Sequence, residues 1–293
     1  MEWKQFALEI GALDPDRIED VFLRHGAQAV TLADAADEPV LEPPPGTTPL
    51  WKQTRITGLF ERDANLDALL LDLLSTFSLA SLPPYDIEQL ADRAWEREWL
   101  KDFKPMRFGR RLWVAPTHID VNEPDAVVLK LDPGLAFGTG THETTALCLQ
   151  WLDQQEIAGK TVLDYGCGSG ILAIAALLLG ADRADAFDID PQAITATTDN
   201  AQHNAVSDRL FASIVAPRAG KYDIVLANIL AEPLKELAGE ICERLKDDGS
   251  LVLSGILSHQ AEAVICAYAP WISFAPVTIL DGWVRLDGRK IRE

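Results

Sequence analysis

Residues 162–170 read Val-Leu-Asp-Tyr-Gly-Cys-Gly-Ser-Gly and pass at once into the apolar stretch Ile171 to Gly180. A short apolar run, a glycine turn and a helical start form a buried strand feeding a helix. The glycines let backbone N–H groups approach a ligand that a Cβ would hold away. Their spacing selects among ligands. A dinucleotide fingerprint needs Gly-x-Gly-x-x-Gly, which from Gly166 would put the third glycine at 171. That position is Ile171, and the glycine stands one place early at Gly170. No P-loop Lys-Ser/Thr follows, so neither pyrophosphate binding nor nucleotide hydrolysis is favoured.

Asp164-x-Gly166-x-Gly168-x-Gly170 instead resembles motif I of the class I S-adenosylmethionine-dependent methyltransferases, whose loop takes an amino-acid moiety and a thioether. A second acid is then expected about twenty positions on, at the end of the next strand, to accept hydrogen bonds from ribose hydroxyls. Ala184-Asp185-Ala186-Phe187-Asp188-Ile189-Asp190-Pro191 supplies it. Asp190 before Pro191 has the pattern of a helix N-cap. Asp188 keeps the strand's phase and is the better ribose ligand.

The 293 residues suit two domains. From about residue 105, strands expected at 161–164, 184–189, 210–215, 222–228 and 250–257 alternate with helices at 170–179, 191–205 and 233–246. That order implies a doubly wound parallel sheet. Two further strands between Trp271 and Arg289, with a tight turn near Asp287-Gly288, would add an antiparallel strand at the edge and complete a seven-stranded, Rossmann-like sheet. Residues 1–92 read β-α-β-β-α-β, a small α+β ferredoxin-like sandwich of a kind often used for docking. A linker helix is expected at 93–104, where Trp95 and Trp99 share a face, and the catalytic domain at 105–293.

Charge limits the partners. The chain carries a formal charge of −19, with 19 acidic and 8 basic side chains in residues 1–100. A field of that sign repels nucleic-acid phosphate and favours encounter with a basic partner, although it also serves plain solubility. The longest apolar stretch falls short of the ~20 residues that cross a bilayer. Met1 to Phe6 has no basic or apolar leader pattern, so no export signal is expected. Cys148, Cys167, Cys242 and Cys266 lack metal-like spacing, which fits a reduced cytoplasm and no bound metal. Cys167 reads as a packing residue.

Two further segments carry chemistry. The strand ending Leu226-Ala227-Asn228-Ile229-Leu230 delivers a single Asn to the edge where such sheets bind ligands. Its carbonyl can hold an attacking amine and its NH₂ can meet a cofactor. The edge resembles the Asn-Pro-Pro-Tyr motif of amino-group methyltransferases, with the Asn kept and the aromatic shelf missing. Upstream, residues 131–145 concentrate three glycines and four threonines before a helix expected at 146–152. Phe137 is a candidate to stack on adenine, and Thr145 or its neighbours to cap the helix or bind the cofactor. His142 is a candidate base, but a lone His in a polar loop is more often structural.

Phe137-Gly138-Thr139-Gly140-Thr141-His142-Glu143-Thr144-Thr145, the 164–170 loop, Asp188-Ile189-Asp190-Pro191 and Leu226 to Leu230 together resemble the PrmA family, methyltransferases of large-subunit ribosomal protein L11. The resemblance implies S-adenosylmethionine contacts from Thr145, Gly166, Asp188 and Asn228, to which the residue reading adds Asp164, Gly168 and Phe137. It implies transfer to lysine ε-amines and the N-terminal α-amine of a basic protein, with S-adenosylhomocysteine as product. Residues 1–92 would then recognise the substrate, and Asn228 would orient the amine. Pro270-Trp271-Ile272-Ser273-Phe274 departs from the Tyr-Gly-Phe-like pattern of the family. The remaining expectations are a cytoplasmic monomer without direct nucleic-acid or membrane contact. Two alternatives stand beside this reading: a methyltransferase of the same fold for another protein or small amine, and a non-enzymatic nucleotide-binding module associated with the ribosome.

Overall fold

The computed structural model describes residues 3–36, 51–90, 104–132, 142–217 and 221–292. The chain divides into two compact units, Met1–Glu98 and Trp99–Glu293. The linker helix expected over 93–104 falls almost wholly outside the described residues, as does Phe137.

The first unit runs β1 (Trp3–Glu9), α1 (Pro15–Arg24), β2 (Ala29–Asp34), β3 (Thr54–Glu61), α2 (Leu66–Thr76) and β4 (Tyr85–Leu90). Asp14 starts α1 by accepting from the Asp16 N–H, with Pro15 at the first helical position. Asn65 does the same for α2 through the Ala68 N–H. The sheet order is β2-β3-β1-β4, and every neighbouring pair is antiparallel. Alternate strand residues, Phe6, Leu8, Ile56 and Phe60, meet Ile18, Phe22, Leu69 and Leu73 in one buried core. This is the ferredoxin-like sandwich that the β-α-β-β-α-β order implies.

The second unit begins with an element the sequence reading did not foresee. A three-stranded sheet of β5 (Met106–Phe108), β6 (Leu112–Ala115) and β7 (Val127–Lys130) precedes α3 (Glu143–Gln154). Its strands are three or four residues long, too short for alternation to register. The buried Asp153 of α3 anchors the β5–β6 hairpin by accepting from the N–H groups of Arg110, Arg111 and Leu112.

The main sheet then builds from β8 (Thr161–Tyr165), β9 (Arg183–Phe187), β10 (Leu210–Ser213), β11 (Tyr222–Asn228), β12 (Leu245–Leu257), β13 (Ile272–Phe274), β14 (Thr278–Leu280) and β15 (Trp283–Lys290). Helices α4 (Ile171–Leu178), α5 (Pro191–His203), α6 (Ala231–Glu236), α7 (Ala238–Glu243) and α8 (Ala261–Tyr268) connect them. The strand order is β10-β9-β8-β11-β12-β15-β13, with β14 joined to β15. Pairs from β10 to β12 are parallel, whereas β15 is antiparallel to both β12 and β13. Strand residues alternate between two cores. Val162, Ile224, Leu226 and Val252 face the α3–α4 side, and Leu163, Val225, Leu251 and Leu253 face α6 to α8. Burial on both faces is why these strands read as continuous apolar runs.

Three expectations are corrected. The helix at 233–246 is two short helices interrupted at Leu237, and from Leu245 the chain is already strand, bulged against β11 between Tyr222 and Ile224. Strand pairing outcompetes helical spacing there because Leu245 buries completely beside Tyr222. The tail forms three strands rather than two, giving the sheet eight, and its antiparallel strand lies inside the sheet rather than at the edge. The tight turn is Asp281-Gly282, with φ of 46° and 82°. Residues Asp287-Gly288 sit within β15, where Gly288 pairs with Leu251 on one side and Phe274 on the other.

Candidate functional site

The carboxyl ends of β8, β9 and β11 open onto one edge of the main sheet, where ligands of doubly wound folds bind. At the end of β8 the backbone turns through Gly166, Gly168 and Gly170 with φ of 85°, 53° and 77°. L-residues rarely adopt this left-handed region. A Cβ at Gly166 would also collide with the Ile229 Cγ2 beyond β11. The turn is held from beneath, since the Gly166 and Cys167 N–H groups both donate to the Phe187 carbonyl at 2.7 and 3.0 Å. It is held from the side by α5, where Thr197 Oγ1 donates to the Gly168 carbonyl (3.1 Å) and Asn200 Nδ2 to that of Ser169 (2.9 Å).

Asp164 lies under the turn with 1% of its surface exposed. One carboxylate oxygen accepts from the Ala173 N–H in the first turn of α4 (3.1 Å). The other oxygen, Oδ1, is buried with no hydrogen-bond partner among the described residues. Burial pushes its pKa up to about 7, opposed by the Ala173 hydrogen bond. Cys167, in the turn, contacts Thr197 Oγ1 through its Sγ at 3.4 Å. Desolvation raises its thiol to about 12, so it is a packing group and not a thiolate.

Asp188 stands just beyond β9, and its Oδ2 accepts from the Gly168 N–H at 2.9 Å while Oδ1 accepts from the Asp190 N–H at 3.0 Å. A carboxylate has lone pairs for both backbone donors and for ligand hydroxyls. Asp190 caps α5 through the Gln192 N–H. The neighbouring Ile189 side chain is 84% exposed, an apolar surface next to the carboxylate.

Asn228 ends β11. Its Nδ2 donates to Thr145 Oγ1 at 3.3 Å, joining two residues 83 positions apart. Thr145 is 1% exposed in the first turn of α3. It does not cap that helix. His142 does, with Nδ1 accepting from the Thr144 N–H at 3.3 Å and lying 2.8 Å from Thr144 Oγ1. Its ring packs edge-on against Trp283 with centroids 4.9 Å apart. That nitrogen is committed to the helix start. Among the described residues, no three His, Cys, Asp or Glu side chains gather as a metal-binding group.

The structure thus places Asp164, Gly166, Gly168, Asp188, Thr145 and Asn228 on elements that converge at one strand edge. Several contributors were not singled out from the sequence. Thr197 and Asn200 share one face of α5, a spacing visible in the sequence but without a stated partner until the loop carbonyls are located. Gly255, at φ 81°, sits where β12 shifts register against β15, and a Cβ there would strike the Ile229 carbonyl. A lone glycine within the apolar run 251–257 was the available signal.

A family profile described as ribosomal protein L11 methyltransferase (PrmA) matches residues 2–291. Proteins named ribosomal protein L11 methyltransferase are similar along their whole length. That of Methylococcus capsulatus is 51% identical over 288 residues, covering 98% of each chain. That of Marinobacter nauticus is 49% identical over 296 residues, covering 99% of each. A crystal structure described as a ribosomal protein L11 methylase from Lactobacillus delbrueckii subsp. bulgaricus superposes with a TM-score of 0.60 at 33% identity. It spans 64% of this chain and 100% of that one.

Proposed function

The chain belongs to the ribosomal protein L11 methyltransferase (PrmA) family, and on that premise we propose that it methylates lysine ε-amines and the N-terminal α-amine of ribosomal protein L11. The methyl donor is S-adenosylmethionine. The observation that carries this reading is the pairing of an Asn228 amide, held by Thr145, with a left-handed glycine cradle between Asp164 and Asp188.

The residues fit that donor. Left-handed glycines give a tight turn that side chains would prevent, Asp164 Oδ1, without a partner among the described residues, suits a nearby ammonium, and Asp188 suits vicinal hydroxyls. S-adenosylmethionine supplies a sulfonium methyl that an amine lone pair displaces in line, leaving a thioether. The protein's task is orientation. Asn228 Nδ2 donates to Thr145, which fixes the amide plane, and its carbonyl oxygen remains to accept a hydrogen bond from the incoming amine and aim the lone pair. A lysine ammonium, with an ordinary pKa of ~10.4, has no lone pair until it loses a proton. Desolvation at the strand edge favours the neutral amine, so the proton can leave to water before transfer and a dedicated side-chain base is not required.

The first unit is assigned substrate recognition, acting over residues 1–92 ahead of a linker at 93–104. An acidic surface suits a lysine-bearing substrate. We place the reaction in the cytoplasm and assign a monomer without direct nucleic-acid contact; among the described residues no helix is long and apolar enough to cross a membrane. The test is transfer of labelled methyl to purified L11, with mass spectrometry locating the modified amines. Label on L11 lysines and its N-terminus supports the reading, and label confined to another acceptor overturns it. Removing residues 1–92 should leave cofactor binding intact and abolish L11 labelling; full activity would refute the recognition role.

A further inference from the structure

The hairpin of β14 and β15 lies two strands beyond β11, yet it reaches the helix that carries Thr145. Arg285 of β15 is 8% exposed, and its guanidinium donates to three separate places. Nε bonds Asp287 Oδ1 on its own strand at 3.1 Å, Nη2 bonds Thr278 Oγ1 on β14 at 3.0 Å, and Nη1 bonds the Leu147 backbone carbonyl of α3 at 3.1 Å. From the same strand, Trp283 packs against His142, the residue that starts α3.

Stability alone gives little reason for this arrangement. A buried guanidinium has a large desolvation cost, and well-packed apolar groups often stabilise as well or better. Direction is what apolar packing lacks, because burial is insensitive to sliding or rotation of a helix along its neighbours. A hydrogen bond from a fixed strand to a helix carbonyl sets both the height and the rotation of that helix. Leu147 is two residues past Thr145, so fixing its carbonyl fixes the Thr145 hydroxyl that accepts from Asn228.

We infer that Arg285 is a positioning residue for methyl transfer: through the Leu147 carbonyl it holds α3 where Thr145 can orient the Asn228 amide. Arg285 touches neither reacting group. Its influence runs from guanidinium to helix, from helix to Thr145, and from Thr145 to Asn228. This rests on the function proposed above.

The test is a cycle of Arg285→Met and Thr145→Val in the full chain, reading kcat for labelled-methyl transfer to L11 together with the unfolding temperature. Arg285→Met should lower kcat about tenfold, since small misplacements near a reacting centre are costly. That loss should largely vanish when Thr145 is already Val, because the two substitutions break the same chain of contacts. Arg285→Lys keeps the cation but loses the fork, and should fall between wild type and Met. If Arg285→Met does not fold, Arg285→Lys is carried through the same cycle with the same expectation. Equal fold-losses in both backgrounds, or loss that follows only the unfolding temperature, would overturn the role of Arg285. Wild-type turnover by Thr145→Val would overturn the link from Thr145 to Asn228 and the inference with it. Absence of transfer by the wild-type chain would overturn the underlying function itself, a result distinguishable from either.

Discussion

The two halves of the proposed site, one for the cofactor and one for the acceptor, are built by opposite means. On the cofactor side, Asp164 to Gly170 and Asp188 are 24 positions apart at most, and the shaping is done mainly by backbone: left-handed glycines and paired N–H groups, supported by the side chains of Asp188, Thr197 and Asn200. On the acceptor side one side chain, Asn228, depends on another 83 residues away, and that one on a helix gripped by the last strand of the sheet. A backbone cradle should fail when its geometry is blocked. A side-chain relay should fail gradually, in rate before affinity.

The largest effect expected is from Gly166→Ala. The new Cβ meets Ile229 in a left-handed conformation that costs an L-residue roughly 1–2 kcal/mol before any collision. Titration calorimetry with S-adenosylhomocysteine should show affinity lost by a hundredfold or more, on the order of the strain and collision combined. Near-normal affinity would show that the turn yields more easily than its packing implies. Next comes a contrasting pair. Asn228→Ala should lower kcat by about a hundredfold with cofactor affinity nearly unchanged, as for loss of one orienting group in other active sites. Asp188→Ala should weaken cofactor binding about tenfold or more with a smaller effect on kcat at saturation. If the two variants exchange signatures, the division into cofactor and acceptor halves is wrong.

A subtler effect concerns pH. Burial raises the Asp164 carboxyl to about 7 in the folded chain from an ordinary value of 3.8. A raised folded pKa means that the stability tied to its protonated form is fully present below the unfolded value and is lost as pH rises towards and through about 7. Asp164→Asn should therefore stabilise the cofactor-free chain more at pH 8 than at pH 5, by differential scanning calorimetry. Ionised Asp164 is also the form that suits a bound ammonium, so wild-type affinity should rise from pH 6 to pH 8 and that of Asp164→Asn should stay flat. A rising profile in the variant would separate Asp164 from the cofactor. The smallest change belongs to His142. Replacement by Ala should remove about 1 kcal/mol of helix-capping stability, Asn should restore most of it, and neither should introduce a new ionisation in the pH–rate profile. An acidic limb lost with His142→Asn would return the residue to duty as a base.

The contrast between the two halves also explains what was readable beforehand. The glycine turn, Asp188 and the Asp190 cap were legible because local spacing and one strand–helix unit suffice to place them. Asn228 was legible as a lone polar residue at the end of an apolar strand, although its contact with Thr145 was not. The helix expected at 233–246 failed because residues 245–249 serve a bulged strand pairing with β11 that no local window contains. The turn expected near Asp287-Gly288 failed for a related reason. An Asp-Gly pair has the composition of a turn, but β12 and β13 hold Gly288 between them as strand.

Sequence alone determined the class of sheet, the ferredoxin-like order of the first unit, the identity of the cradle and the acids at the ends of its strands. Hydrophobic period and glycine placement act over a few residues, so one chain segment carries the whole signal. Tertiary structure decided how Thr145 meets Asn228, which ring packs against His142, and which strand holds α3 in place. Those choices depend on elements more than eighty residues apart being paired by burial and hydrogen bonding, and spacing along the chain does not encode that pairing.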